Sequence, residues 1–140
     1  FLRRCGADVT RVRKMFRENV EDYRAKGEAI RNAELYRDCF AISVCPSEGL
    51  ESPTVVGAQA ANELLNVVGV KASFVLTDYR STIYVSARSI DEVNVQVIME
   101  KLGGGGHLNI AGAQFEHYSI AEVRDILKQT LQKMLDEGDI

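Results

Sequence analysis

The sequence predicts an α/β fold on the α+β border, a mixed sheet of about four or five strands flanked by helices. Three observations predict it. Cys39–Cys45 (CFAISVC) is a near-continuous apolar run, the pattern of a strand covered on both faces. Val70–Thr77 and Thr82–Arg88 are two strand-like runs around a short polar turn, the pattern of an antiparallel hairpin. Segments with apolar residues at helical spacing stand between and after these runs.

In chain order, Asp8 can cap a first helix from Val9 to about Phe16. A second helix is expected from Asn19 to Tyr36, where Val20, Tyr23, Ile30 and Leu35 form a loose apolar stripe. Gly27 weakens its middle. After the Cys39–Cys45 strand, Pro46–Gly49 makes a turn. Ser52 then reads as an N-cap and Pro53 as the first helical residue of a helix reaching Val68. Small residues at Gly57, Ala58, Ala60 and Ala61 let that helix approach its neighbours closely, and Gly69 stops it. In the hairpin, Val70, Ala72, Phe74 and Leu76 alternate on one face, and Asp78–Ser81 turn the chain. Val95, Ile98, Met99 and Leu102 mark a helix over 91–102. Four glycines and His107 follow, then a short Ala/Gly segment and a strand at Ala113–His117. Ser119 and Glu122 form a capping box, and Ile120, Val123, Leu127, Leu131 and Met134 carry the last helix to about Asp136.

The chain has 140 residues, 46% hydrophobic and 26% charged, the balance of an ordinary globular domain. Disorder, collagen and a coiled-coil rod are excluded. No apolar run approaches the roughly 18 residues of a membrane span. The net charge of -3 gives no global pull towards nucleic acid or anionic lipid. Residues 1–20 nevertheless carry net +4. That segment reads as a solvated helix face, or less simply as a nucleic-acid surface. Three cysteines, no signal peptide and no C-x-x-C pair suggest reduced thiols. Cys39 and Cys45 on one strand would stand roughly 20 Å apart, too far to bridge. The opening residue is Phe, so a piece of a longer polypeptide is expected.

The glycine run Gly103–Gly106 has the least local reason to exist. Four consecutive glycines lose unfolded-chain entropy and side-chain packing. Such a run suits backbone N–H groups gathered around an anion. His107 follows at once, and its imidazole can donate to a phosphate oxygen. A dinucleotide fingerprint would follow a strand, and a P-loop would end in Gly-Lys-Ser/Thr; neither fits. A plain linker or hinge remains the bland reading. Arg88, ending the strand in Ser86-Ala87-Arg88-Ser89, could grip a phosphate bidentately, or be a surface arginine. His117 reads as a surface or rim histidine and Asp78 as a turn residue.

The string LGGGGHLNIAGAQF at 102–115, with SARS at 86–89 and Asn94-Val95 between, resembles the C-terminal accessory domain of the DHH phosphoesterase family. That family includes RecJ-like nucleases, nanoRNases and GdpP-type cyclic di-AMP phosphodiesterases. The wording GGGGHLN…AQ is most similar to the GdpP type. One departure is Ile110-Ala111, where family members often carry two alanines. The resemblance implies residues 1–38 as a helical connector from a missing catalytic DHH domain and 39–140 as the substrate-binding domain. It implies a Mn-dependent phosphodiesterase acting on cyclic di-AMP or its linear dinucleotide product. The Mn ions would sit in the missing domain, and this chain would bind no cofactor and be inactive alone. Gly104, Gly105, Gly106 and His107 would contact substrate phosphate or the terminal nucleotide, with Arg88 and Ser86 assisting. The partners would be a cyclic dinucleotide or short oligonucleotide and the DHH domain; a homodimer is compatible. The segment would be cytoplasmic, with a membrane anchor elsewhere in the protein allowed. The alternatives are a lobe of a nanoRNase or RecJ-like single-strand exonuclease, and a nucleotide-sensing module without hydrolysis.

Overall fold

The computed structural model describes residues 20–90 and 92–140. The helix expected at 9–16 lies outside them. The elements are α1 (Val20–Arg31), β1 (Glu34–Tyr36), β2 (Phe40–Cys45), α2 (Pro53–Leu64), β3 (Ala72–Tyr79), β4 (Thr82–Ser89), α3 (Val95–Lys101), β5 (Gly105–Gly106), β6 (Ile110–Glu116) and α4 (Ile120–Asp136). The fold is a mixed α/β sandwich. Its sheet has six strands in the order β1-β2-β3-β4-β6-β5, rather than four or five. The additional strands are the short edges β1 and β5. Only β2 and β3 run parallel, joined through α2; every other pairing is antiparallel.

The sheet is covered unequally on its two faces. On one face Phe40, Ile42, Phe74, Leu76, Ile83, Val85, Ala87, Ala111 and Ala113 pack against α3 and α4. On the other, Ala41, Cys45 and Val75 pack against Ala25 and Ala29 of α1 and Val56, Ala60, Ala61 and Leu64 of α2. Two buried hydroxyls tie these helices down: Ser43 Oγ donates to Ala29 O, and Ser73 Oγ donates to Ala61 O at 2.5 Å. Gly57 lets α2 sit against β3, because a Cβ there would collide with Thr77 Oγ1. α1 lies over β2, and α2 lies over β2, β3 and the near side of β4. The strip of sheet left over is where the cleft lies.

Several sequence boundaries move. The helix expected to reach Tyr36 ends at Arg31, and Glu34–Tyr36 pairs with β2. The helix expected to reach Val68 ends at Leu64, capped by Leu65. Ser52 occupies the N-cap, but its side chain makes no capping hydrogen bond. The helix expected over 91–102 begins at Val95, because the Asn94 side chain caps it by accepting from Val97 N at 3.2 Å. The hairpin strands run two residues later and one residue longer than expected, to Tyr79 and Ser89. The last strand starts at Ile110, three residues early. The Ser119–Glu122 capping box and α4 to Asp136 stand as read. Cys39 and Cys45 are free thiols.

Candidate functional site: a cleft on the uncovered sheet face

Alternation along β4 sends Ile83, Val85 and Ala87 into the α3/α4 core and leaves Tyr84, Ser86 and Arg88 on the opposite face. The register with β6 then sets these residues beside specific neighbours: Tyr84 opposite Gln114, Ser86 opposite Gly112, Arg88 opposite Ile110. Beyond β6 the glycine strand β5 continues the rows, with Gly105 opposite Gly112. Ser86 and Gly105 are therefore two strand spacings apart, about 10 Å.

A cleft of about 370 Å³ opens here, lined by Thr54, Tyr84, Ser86, Gly103, Gly104, Gly112 and Gln114 with Val85 and Ala113. Its volume is in the range of small-ligand sites. One wall is the start of α2, where Thr54 is the second helical residue and the first turn carries no acidic side chain. The floor is nearly bare backbone at Gly104 and Gly112. The carboxyl ends of the parallel strands β2 and β3 lie towards this end of the sheet, a common place for ligands in sheets with a parallel pair.

Of the residues singled out from sequence, Ser86 and Gly104 line the cleft. Arg88 stands two residues beyond Ser86 on the same face, just outside it. Gly105, Gly106 and His107 are exposed and lie outside the lining, across β6. His107 N donates to Ile110 O at 2.7 Å, which closes the β5–β6 turn and places His107 beside the Arg88–Ile110 row. His117 is exposed in a left-handed turn (φ 64) at the far end of β6, where its N–H donates to Ser81 O at 3.2 Å.

The glycines have more structural reason than their run in the sequence suggests. Gly103 N donates to Glu100 O at 3.1 Å and Gly104 N to Met99 O at 2.8 Å, the pair of bonds that closes a helix with a left-handed residue, here Gly103 at φ 84. A Cβ on Gly104 would strike Gly112 O and Ala113, and one on Gly106 would strike Ile110 O and Ala111. Within the run, Gly103 and Gly105 have open space around a Cβ, but Gly103 sits at φ 84, so only Gly105 would take a side chain without strain. The expected crowd of free N–H groups is thus reduced. Those of Gly103, Gly104 and His107 are engaged, while Gly105 and Gly106 stand in register with Gly112 and Ala111 of β6.

Arg88 is the electrostatic centre of this face. Its Nη1 donates to Ala87 O at 2.8 Å, but its buried Nε has no partner. None of the ion pairs among the described residues includes it. Burial lowers its pKa from the ordinary value, the direction expected of a guanidinium short of water and of an anion. A second hollow of about 410 Å³ lies between β1 and α4, lined by Tyr36, Lys128 and Gln132 among others. There Lys128 is already paired with Glu34 at 3.0 Å. The unpaired cation makes the β4–β6 face the better anion site.

The chain matches the DHHA1 domain model over residues 40–133. It belongs to the DHHA1 domain family. Among curated relatives, this DHHA1 chain is 43% identical over 87% of its length to the cyclic-di-AMP phosphodiesterase PdeA of Listeria monocytogenes. It is 39% identical over 99% of its length to the cyclic-di-AMP phosphodiesterase GdpP of Bacillus subtilis. The chain spans only 19% and 21% of those proteins. Among solved structures, an exopolyphosphatase-related protein from Bacteroides fragilis superposes with a TM-score of 0.70 at 24% identity, covering 81% of this chain and 34% of that one. The C-Ala domain of alanyl-tRNA synthetase from Aquifex aeolicus superposes with a TM-score of 0.55 at 19% identity, covering 71% of this chain and 97% of that one. These two likenesses are of fold. Among the described residues no helix is long and apolar enough to cross a membrane. No group of three or more His, Cys, Asp or Glu among them could hold a metal ion.

The sequence reading passed over Thr54, Tyr84, Gly112 and Gln114. Tyr84 is in phase with Ser86 and Arg88 on a strand that was recognised, and this signal could have found it. Gln114 needed the β4–β6 register, which is a tertiary fact.

Proposed function

We propose that this DHHA1 chain is the substrate-binding lobe of a Mn-dependent phosphodiesterase that hydrolyses cyclic di-AMP or its linear dinucleotide product. The observation that carries the reading is Arg88, a part-buried guanidinium with an unpartnered Nε beside Ser86, the glycine strand and an open cleft. Relatives about two-fifths identical along most of the chain are cyclic-di-AMP phosphodiesterases, and this supports the ligand class. In this reading residues 1–38 lead from a DHH domain in the same polypeptide. That domain would hold the Mn ions, whose chemistry there would be polarisation of the phosphodiester and supply of hydroxide. The lobe's own work is to seat the substrate: Arg88 pairs with a phosphate, the Ser86 hydroxyl adds a hydrogen bond, and the exposed His107 imidazole reaches it from the rim. Among the described residues the site holds no redox or acyl-transfer group, and in this reading the chain is not catalytic alone.

An NMR titration of the chain with a longer oligoadenylate, pApA, cyclic di-AMP, AMP and inorganic phosphate tests this. The expected result is shifts confined to residues 84–88 and 103–114, lost in Arg88→Ala and weakened in His107→Ala. A best ligand longer than a dinucleotide would instead indicate an exonuclease lobe. Shifts with none of these ligands would overturn the binding role.

A further inference from the structure

Phosphate recognition does not account for the other end of the cleft. Tyr84 and Gln114 face each other across β4 and β6, both line the cleft, and no hydrogen bond among the described residues engages either side chain. Tyr84 is half-buried and Gln114 exposed. Neither is spent on packing the core. Between them and Arg88 lies the Ser86–Gly112 row. Gly112 carries no side chain, and a Cβ there would meet Val85 O at 2.9 Å. The floor therefore stays flat next to an aromatic ring and a carboxamide.

We propose that Tyr84 and Gln114 form a nucleobase subsite, Tyr84 supplying the stacking surface and Gln114 selecting adenine over guanine. The proposal rests on the nucleotide-binding reading above and names the part of that site which sets base identity. Arg88 lies four residues from Tyr84 along the extended strand, about 13 Å, so a nucleotide laid along β4 has its phosphate and its base at different residues. A tyrosine ring stacks on any base and gives affinity without choice. A glutamine carboxamide chooses. Its oxygen accepts from the adenine N6 amino group while its NH2 donates to N7. Guanine presents acceptors at both O6 and N7, so the carboxamide oxygen would face another acceptor. An arginine at the same position would instead donate to both guanine acceptors.

The test is a set of NMR titrations with pApA, pGpG, AMP, GMP and inorganic phosphate. They use the wild-type chain, Tyr84→Leu, Gln114→Ala and Gln114→Arg, each first checked for an unchanged melting curve. Wild type should prefer pApA to pGpG by about tenfold, with the Tyr84 and Gln114 amides shifting only when a base is present. Gln114→Ala should abolish the preference, and Gln114→Arg should reverse it. Tyr84→Leu should weaken both dinucleotides severalfold and leave inorganic phosphate unchanged. If nucleotides bind near Arg88 but the adenine-to-guanine ratio is the same in all four proteins, the base subsite is wrong and the phosphate-binding role stands. If no nucleotide binds wild type, both fall.

Discussion

Ser89 and Asn109 hold each other twice. The Ser89 N–H donates to the Asn109 carbonyl at 3.1 Å, and the Asn109 side-chain amide donates to the Ser89 hydroxyl at 3.1 Å. That hydroxyl in turn donates to Val93 O at 2.6 Å, and Val95 N donates to Leu108 O at 3.0 Å. The end of β4, the entry to α3 and the turn after the glycines are thereby one knot. The second serine of the SARS string is a fastener, and the arginine before it lies on the sheet face away from α3 and α4.

Ser89→Ala should therefore act on the loop through stability. Ser89 is 6% exposed, and its loss leaves the Asn109 amide and the Val93 carbonyl without a partner. The expected cost is about 1–3 kcal/mol. Urea unfolding measures it. Hydrogen exchange should show residues 107–110 opening before the sheet does.

The glycines should separate by position. Gly104→Ala forces a methyl group into the backbone of β6 and should destabilise more than Gly103→Ala, which costs about 1 kcal/mol for the left-handed residue. Gly105→Ala should melt like wild type, since nothing stands within 4 Å of its Cβ. The same variant should bind nucleotide more weakly in the NMR titration if the substrate reaches across β6 to β5.

Arg88→Met should trade function for stability. The buried Nε without an acceptor is a cost the folded chain carries unaided. Removing it should leave stability unchanged or raise it by up to about 2 kcal/mol, while phosphate and nucleotide shifts disappear. A large loss of stability would mean that the guanidinium is a structural strut.

Cys45 should behave as a masked thiol. Burial first, then the nearby carboxylates Asp22 and Glu28, push its pKa up to about 11. At pH 8 its alkylation by iodoacetamide, read residue by residue by mass spectrometry, should be slower than that of an ordinary thiol by roughly a hundredfold. The folded thiol holds its proton more tightly than the unfolded one. Its contribution to stability is thus complete below about pH 8.5 and is lost as the pH rises towards 11. Urea midpoints at pH 8 and pH 10, compared with those of Cys45→Ala, show this as a steeper fall in the wild type.

The chain alone, supplied with Mn, should not hydrolyse cyclic di-AMP or pApA. Turnover by the purified chain, followed by chromatography of the products, would refute the division of labour proposed for it.

Most of the central architecture is legible from periodicity. The double-sided burial of Phe40–Cys45, the hairpin and the capped α4 each follow from a local pattern that the tertiary fold reinforces. The misses are local patterns that the fold overrides. The turn after β1 uses Arg37 and Asp38 at φ 54 and 64, and the hairpin turn uses Arg80 and Ser81 at φ 52 and 65. Such turns usually advertise glycine or asparagine. Without that signal, Glu34–Tyr36 was absorbed into the helix before it. Gly105–Gly106 is a strand only because β6 lies beside it, and no residue preference predicts a strand of two glycines. On the site, the glycines, Arg88 and Ser86 were visible as an unusual composition. The cleft was not, because Gln114 and Gly112 meet Tyr84 and Ser86 only through the β4–β6 register.

In the bare sequence, four glycines look like slack. In the fold they are a wall, stitched at one end to the last turn of α3 and at the other to β6. A strip so secured does not flap over a substrate. On the reading proposed above, a bound nucleotide would meet residues 86–112 as one stiff piece.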